Sequence, residues 1–131
     1  MTPYKINRKY KPRILANLRK IAELLSSHGF KVSGPDDMTD EDYSYWLLVE
    51  KDQMIDIRFT ILESEHSDGE VGGVNFACDI TEVSGRTLGG ICPFNYTNKV
   101  WVPRKDEAAI EERFKLLEDA DINGIVDCCS S

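Results

Sequence analysis

The chain has 131 residues, of which 41% are hydrophobic and 30% charged, and its formal net charge is −7 at neutral pH. This composition is typical of one folded domain with a hydrophobic core, and it excludes a largely disordered chain. No hydrophobic run approaches the roughly 20 residues that cross a bilayer, and the N-terminus lacks the features of a secretion signal. We therefore expect a single cytoplasmic domain over residues 1–131 that does not enter a membrane.

The charge is divided unevenly along the chain. Residues 1–31 contain eight Lys or Arg against one acid, Glu23, which is a net charge of +7. Residues 32–131 contain eight basic residues against 22 acids, which is a net charge of −14. Such a division suits binding to an oppositely charged surface, whether on the same molecule, on a second copy or on another partner.

The first predicted elements are an arm and a helix. Residues 1–11 are predicted to form an extended basic arm, and Pro12 then suits the first position of a helix that ends near residue 28. Gly29 is a good left-handed stop for this helix. Phe30 is expected to fold back on Leu25, as in a Schellman-type cap.

Strands dominate the middle of the chain. Residues 33–42 are predicted to form a loop. Near the C-terminus, a second helix is predicted to begin near Asp106, and residues 121–131 are predicted to form a tail of unassigned structure. Strands are predicted at 43–50, 55–61, 74–81, 86–96 and 99–102. The first two are predicted to form a hairpin, and the inward-pointing residues of the second are predicted to be Ile55, Ile57, Phe59 and Ile61. The predicted fold is therefore α+β, with an antiparallel meander of about five strands and N- and C-terminal helices packed on one face, in the order α-β-β-β-β-β-α.

The pairing of the third and fourth predicted strands can be derived from their apolar alternation. A three-residue loop, or a bulge at Gly85, places Ile80 opposite Gly90 and puts Cys78 beside Cys92 on the apolar face. We interpret Cys78 and Cys92 as buried free thiols, with a redox or metal role as the alternative, and Cys128-Cys129 as part of a mobile tail. The cysteines and histidines lack zinc-binding spacing and the acidic stretch 36–42 lacks EF-hand spacing, so we expect no metal or cofactor.

Two groups of residues are candidates for binding a partner. The basic N-terminal segment, in which Tyr4 and Tyr10 are interleaved with the cations, contributes Lys5, Arg8, Lys9, Lys11 and Arg13. Large aromatic residues, which often anchor protein contacts, contribute Trp46, Tyr96 and Trp101. Trp46 lies on a strand with two apolar faces, so its position suits either a partner-binding patch or burial under the tail.

Three functions remain open at this point. The absence of a catalytic signature in the sequence favours a non-catalytic binding or adaptor protein that acts through protein–protein contacts with another protein or a second copy of itself. A nucleic-acid-associated protein could use residues 1–20, with cations on phosphates and tyrosines stacked on bases, although a pI of about 4.8 argues against it. A small enzyme could use a pocket on the sheet that contains Asp79, His66 or a cysteine.

Overall fold

The computed structural model describes residues 3–38, 44–50, 54–65, 72–83, 87–90, 102–103 and 106–130. The helices are α1 at Pro3–Ser27, α2 at Glu107–Glu118 and α3 at Asn123–Ser130. The strands are β1 at Lys31–Met38, β2 at Ser44–Glu50, β3 at Met54–Glu65, β4 at Gly72–Glu82, β5 at Thr87–Gly90 and β6 at Val102–Pro103. The predicted class, α+β with an antiparallel sheet and helices at both ends, is confirmed.

Helix α1 extends N-terminal to Pro12, which lies inside it. The predicted extended arm, residues 1–11, is therefore wrong from residue 3 onward, and residues 1–2 lie outside the described part. Ile6 and Tyr10 continue the core-facing stripe of Ile14 at intervals of four residues, and all three side chains are fully buried. Their burial offsets the backbone hydrogen bond that Pro12 cannot donate, and Pro12 itself lies on the exposed side of the helix.

The end of α1 is formed as predicted. Gly29 has a φ of +89°. The Phe30 N–H donates to the Leu25 carbonyl at 3.1 Å, and the Gly29 N–H donates to the Ser26 carbonyl at 3.1 Å. These are the two hydrogen bonds of a Schellman motif, and the Phe30 side chain is buried beneath them.

One antiparallel sheet contains every described strand, in the order β1-β2-β3-β4-β5, with β6 also paired to β4. The predicted β2–β3 hairpin is confirmed, because Ser44 pairs with Thr60 and Glu50 with Met54. Since β3 occupies one edge of β4, the two short strands β5 and β6 share its other edge. The described part of the sheet thus has four long strands and two short ones, compared with the five predicted.

Strand β1 corrects the predicted loop at residues 33–42, of which the first part belongs to the sheet. Its register with β2 shifts between Ser33 and Asp36, across the cis peptide bond of Gly34-Pro35. Such a bulge interrupts the alternation by which a strand is recognised, and an edge strand tolerates the proline. The remainder of the predicted loop lies outside the described residues.

The register of β4 with β5 also differs from the prediction. Ile80 pairs with Gly89 rather than with Gly90. The register then shifts, because the next residue, Thr81, pairs with Thr87. The described irregularity lies within β5, and the predicted pairing of Ile80 is wrong by one residue, whereas Gly85 lies outside the described residues.

All three helices pack on one face of the sheet and share a single core with it. The residues predicted to point inward from β3, namely Ile55, Ile57, Phe59 and Ile61, are all buried. Phe114 of α2 joins the layers, since its ring centroid lies 4.8 Å from that of Tyr10 in α1 and 6.1 Å from that of Phe59 in β3. The predicted packing of the helices on one face is confirmed.

Candidate binding surface

The solvent-facing side of α1 carries a row of cations. Because α1 buries one side against the sheet, the 3.6-residue repeat brings these cations to its opposite side over about 22 Å. The row, called the basic stripe here, consists of Lys5, Arg8, Lys9, Arg19 and Lys20, all of them exposed. Glu23 is the exposed acid on the same side of α1, and the exposed Pro12 and Ala16 separate the two ends of the stripe.

Three of the five cations of the stripe have no ion-pair partner in the described part of the chain, which leaves them accessible to a partner. Arg8, Arg19 and Lys20 form no ion pair with any residue in the described ranges. The Lys9 ammonium lies 5.4 Å from the centroid of the Tyr10 ring, close enough for a cation–π contact. Of the predicted binding residues, Lys5, Arg8 and Lys9 therefore lie on an exposed surface.

Arg13 has a different role, which the sequence pattern did not indicate. Its guanidinium donates to Glu111 at 2.7 and 2.8 Å and to Glu118 at 2.5 and 3.1 Å. It also lies 4.7 Å above the centroid of the Phe114 ring. These contacts raise the pKa of Arg13 above its ordinary value and, through the hydrogen bond from Arg13, lower the pKa of Glu111. Arg13 thus joins α1 to α2 and is occupied within the molecule.

Two other residues of the basic segment are also unsuited to contact with a partner. Lys11 is half-buried beside the stripe rather than on it. Tyr10 is fully buried, and its burial raises the pKa of its hydroxyl to about 12. Tyr10 cannot stack on a nucleic-acid base without leaving the core, and the side chain of Tyr4 lies outside the described part. The structure therefore removes one of the two tyrosines on which the nucleic-acid hypothesis depends.

Helices α2 and α3 present the opposite charge to solvent. Between residues 106 and 130 the exposed acids, called the acidic face here, are Asp106, Glu107, Glu112, Asp119, Asp121 and Asp127. Lys115 is the exposed cation among them, and Leu116 is a large hydrophobic residue with 55% of its surface exposed. The sequence pattern predicts that four acids of α2 point outward, namely Glu107, Glu111, Glu112 and Glu118. Glu107 and Glu112 are exposed as predicted, whereas Glu111 and Glu118 are half-buried and turn towards Arg13.

In the described ranges, the sheet face opposite the helices is interrupted by charged residues and is not a continuous apolar patch. Trp46 is half-buried and lies directly opposite Arg58, while Leu48 lies opposite Asp56. Arg58 donates to Asp56 at 2.9 Å, so an ion pair runs beside both apolar residues. This arrangement gives little support to Trp46 as the centre of a hydrophobic interface. Tyr96 and Trp101 lie outside the described residues, so their role as partner anchors stays a prediction.

The groups named for an enzyme do not form a catalytic arrangement in the described part. Asp79 is 7% exposed on the sheet face opposite the helices, whereas His66 lies outside the described residues. Burial raises the pKa of Cys78 to about 12 and that of Cys129 to about 11, which disfavours the nucleophilic thiolates. Cys129 also belongs to α3 and not to an unstructured tail. Cys92 is not among the described residues, so its contact with Cys78 is untested.

Two further observations concern ligands and membranes. In the described ranges, no three or more His, Cys, Asp or Glu side chains are grouped so that they could hold a metal ion. None of the described helices is both long and apolar enough to cross a membrane. Compared with protein-family models, curated proteins and solved structures, the chain shows no significant match.

Proposed function

We propose that this protein is a non-catalytic binding protein that docks an acidic protein surface on the basic stripe of α1. The observation that carries the proposal is the stripe itself: five exposed cations on one side of a helix, in a chain whose net charge is −7. Like charges in one row repel one another, and the binding of an anionic surface would relieve this repulsion.

The stripe is also preorganised. The opposite side of α1 contributes Ile14, Leu18 and Ile21 to the core, each fully buried, and Arg13 fixes α1 to α2. The cations are therefore held in a defined row before a partner binds, which lowers the entropic cost of association. Because they are exposed, each contributes modestly, and we expect fast association that weakens with salt.

A protein partner is favoured over nucleic acid for two reasons. The acidic face on α2 and α3 lies on the same side of the sheet as the stripe and would repel a long polyanion that extends beyond α1. In addition, Tyr10 is buried and cannot stack on a base. A short acidic protein segment or a matched acidic surface avoids both difficulties.

A direct test compares two double variants with equal changes in net charge. Arg8→Gln with Arg19→Gln neutralises two cations of the stripe, and Lys31→Gln with Lys115→Gln neutralises two exposed cations outside it. Binding of a fluorescent poly-glutamate peptide is measured by anisotropy at about 50 mM salt. We expect roughly tenfold weaker binding by the stripe variant, at about 0.5–1 kcal/mol for each cation, and little change in the control.

The same titration with a DNA duplex decides between the two classes of partner. Equal loss of peptide binding in the stripe variant and the control would contradict the proposal, because the stripe would then have no special role. Duplex binding that is tighter than peptide binding, and that is lost with Arg8 and Arg19, would replace the proposal with the nucleic-acid hypothesis.

A further inference from the structure

The solvent-facing sides of the three helices form one surface with a positive half and a negative half. The positive half is α1, with five exposed cations against one exposed acid. The negative half is residues 106–130, with six exposed acids against one exposed cation. The two halves are adjacent, because Arg13 and Tyr10 of α1 contact α2 directly. This surface, called the helical surface here, is therefore nearly balanced in charge but strongly dipolar.

We propose that the acidic surface docked by the basic stripe is the acidic face of a second copy of this chain, so that two molecules associate through their helical surfaces. This inference rests on the proposed function, since it names the partner of the stripe. A two-fold axis along the boundary between α1 and α2 places each stripe against the other copy's acidic face, and the contact occurs twice. An axis across the helices would instead oppose stripe to stripe, and charge repulsion disfavours it.

The dimensions of the helical surface suit such a contact. The helices contain 25, 12 and 8 residues. At 1.5 Å per residue and about 10 Å in width, they offer about 700 Å² per copy. This is close to the roughly 800 Å² per partner of a standard stable interface. The contact is thus large enough for a dimer, although its charged composition makes it sensitive to salt.

The helical surface also carries uncharged residues between its charged ones. Of the described helical residues, Leu116 is the one large hydrophobic side chain that is exposed. On α1, Pro12 and Ala16 form an uncharged interval between the two ends of the stripe. The inferred axis brings α2 of one copy over α1 of the other, so Leu116 can pack on this small, flat interval and exclude water at the centre of the interface.

A charge-swap experiment tests the inference. One variant carries Arg8→Glu and Arg19→Glu, and a second carries Glu112→Lys and Asp119→Lys. We expect the natural protein to be a dimer by light scattering at about 50 mM salt and a monomer at about 500 mM. Each variant alone should be monomeric at the lower salt, because the exposed charge of one half falls from +4 to 0 in the first variant and from −5 to −1 in the second. An equimolar mixture should form a heterodimer, since the natural stripe of the second variant meets the natural acidic face of the first, and in the other contact the new glutamates oppose the new lysines.

A matched control separates the interface from the effect of net charge. Asp36→Lys with Glu50→Lys changes the net charge by the same amount as the second swap variant but lies in β1 and β2, outside the helical surface, and it should remain dimeric. Leu116→Ser should weaken the dimer about tenfold without a change in net charge.

Each contrary result has a defined meaning. A natural protein that is monomeric at low salt, or swap variants that fail to form a heterodimer, would overturn the inference. If the stripe still binds poly-glutamate in that case, the proposed function stands and the partner is another protein. If poly-glutamate binding is also independent of Arg8 and Arg19, both proposals fail.

Discussion

Replacement of Arg13 by methionine tests whether the contact between α1 and α2 supports the fold. Methionine keeps an unbranched stem of similar reach but removes five N–H donors and the charge. The structure gives Arg13 two bidentate carboxylate partners and a position over the Phe114 ring. The variant loses all of these contacts, and it leaves Glu111 and Glu118 close together without their shared cation.

The size of the expected loss of stability depends on how far the three charged side chains are exposed to solvent. The side chains of Arg13, Glu111 and Glu118 are 31%, 32% and 29% exposed, so solvent screens their attraction only in part. Bidentate pairs of this kind lie near the upper end of the range for surface ion pairs, about 1 kcal/mol each. The cation–π contact adds about 0.5–1 kcal/mol. We therefore expect Arg13→Met to lower the free energy of unfolding by about 2–3 kcal/mol, and Tm by roughly 10 °C.

The assay is urea unfolding followed by tryptophan fluorescence, with Arg19→Met as the matched control on the exposed side of the same helix. The hydrogen bond from Arg13 lowers the pKa of Glu111, so its contribution is present at neutral pH and is lost as pH falls through the folded-state pKa. The difference in the free energy of unfolding between the natural protein and Arg13→Met should accordingly become smaller at acid pH. If Arg13→Met lowers the free energy of unfolding by less than about 0.5 kcal/mol, or by an amount that does not change with pH, this reasoning is refuted.

Three further predictions concern single residues. Gly34→Ala should lower the free energy of unfolding by about 2 kcal/mol or more in thermal unfolding, because φ is +103° and the new Cβ would lie 2.8 Å from the Trp46 carbonyl oxygen. Gly29→Ala, where φ is +89° and the space is open, should lower it by about 1 kcal/mol. Equal losses in the two variants would contradict the role of this close contact. Burial raises the pKa of Tyr10 from 10.0 to about 12, so stability should fall as pH rises through this interval, and unfolding curves of Tyr10→Phe should show a smaller fall. Cys78 is buried and the pKa of its thiol is raised, so a thiol reagent should modify it only as the chain unfolds; modification in native buffer at the rate of an exposed thiol would show that the core is open.

The features that could be predicted from the sequence are those fixed by neighbours along the chain. The alternation from Ile55 to Ile61 determines which face of β3 is buried, whatever the sheet contains elsewhere. Gly29 and Phe30 likewise define the end of α1 through bonds to residues a few positions earlier. The hairpin of β2 and β3 belongs to the same class, because only three residues separate its strands along the chain.

The features that were mispredicted depend on the rest of the fold. Pro12 is a local signal for a helix start, but burial of Ile6 and Tyr10 against a sheet formed later in the chain outweighs it. The bulge at Gly34 hides β1 because it breaks the alternation that would identify a strand. The basic stripe could be expected in outline from the excess of cations, yet the separate role of Arg13 could not, since its carboxylate partners lie 98 and 105 residues away.

That separation has a consequence for how the chain folds as it is synthesised. Arg13 and Tyr10 leave the ribosome long before Glu118 and Phe114, and at roughly 5–20 residues per second the interval is about 5–20 s. During this time the apolar side of α1 can contact the early strands, but its packing against α2 cannot be completed. A ribosome-bound chain that stops before α2 should therefore remain sensitive to proteases, and protection should arise late and cooperatively, once the last helices emerge.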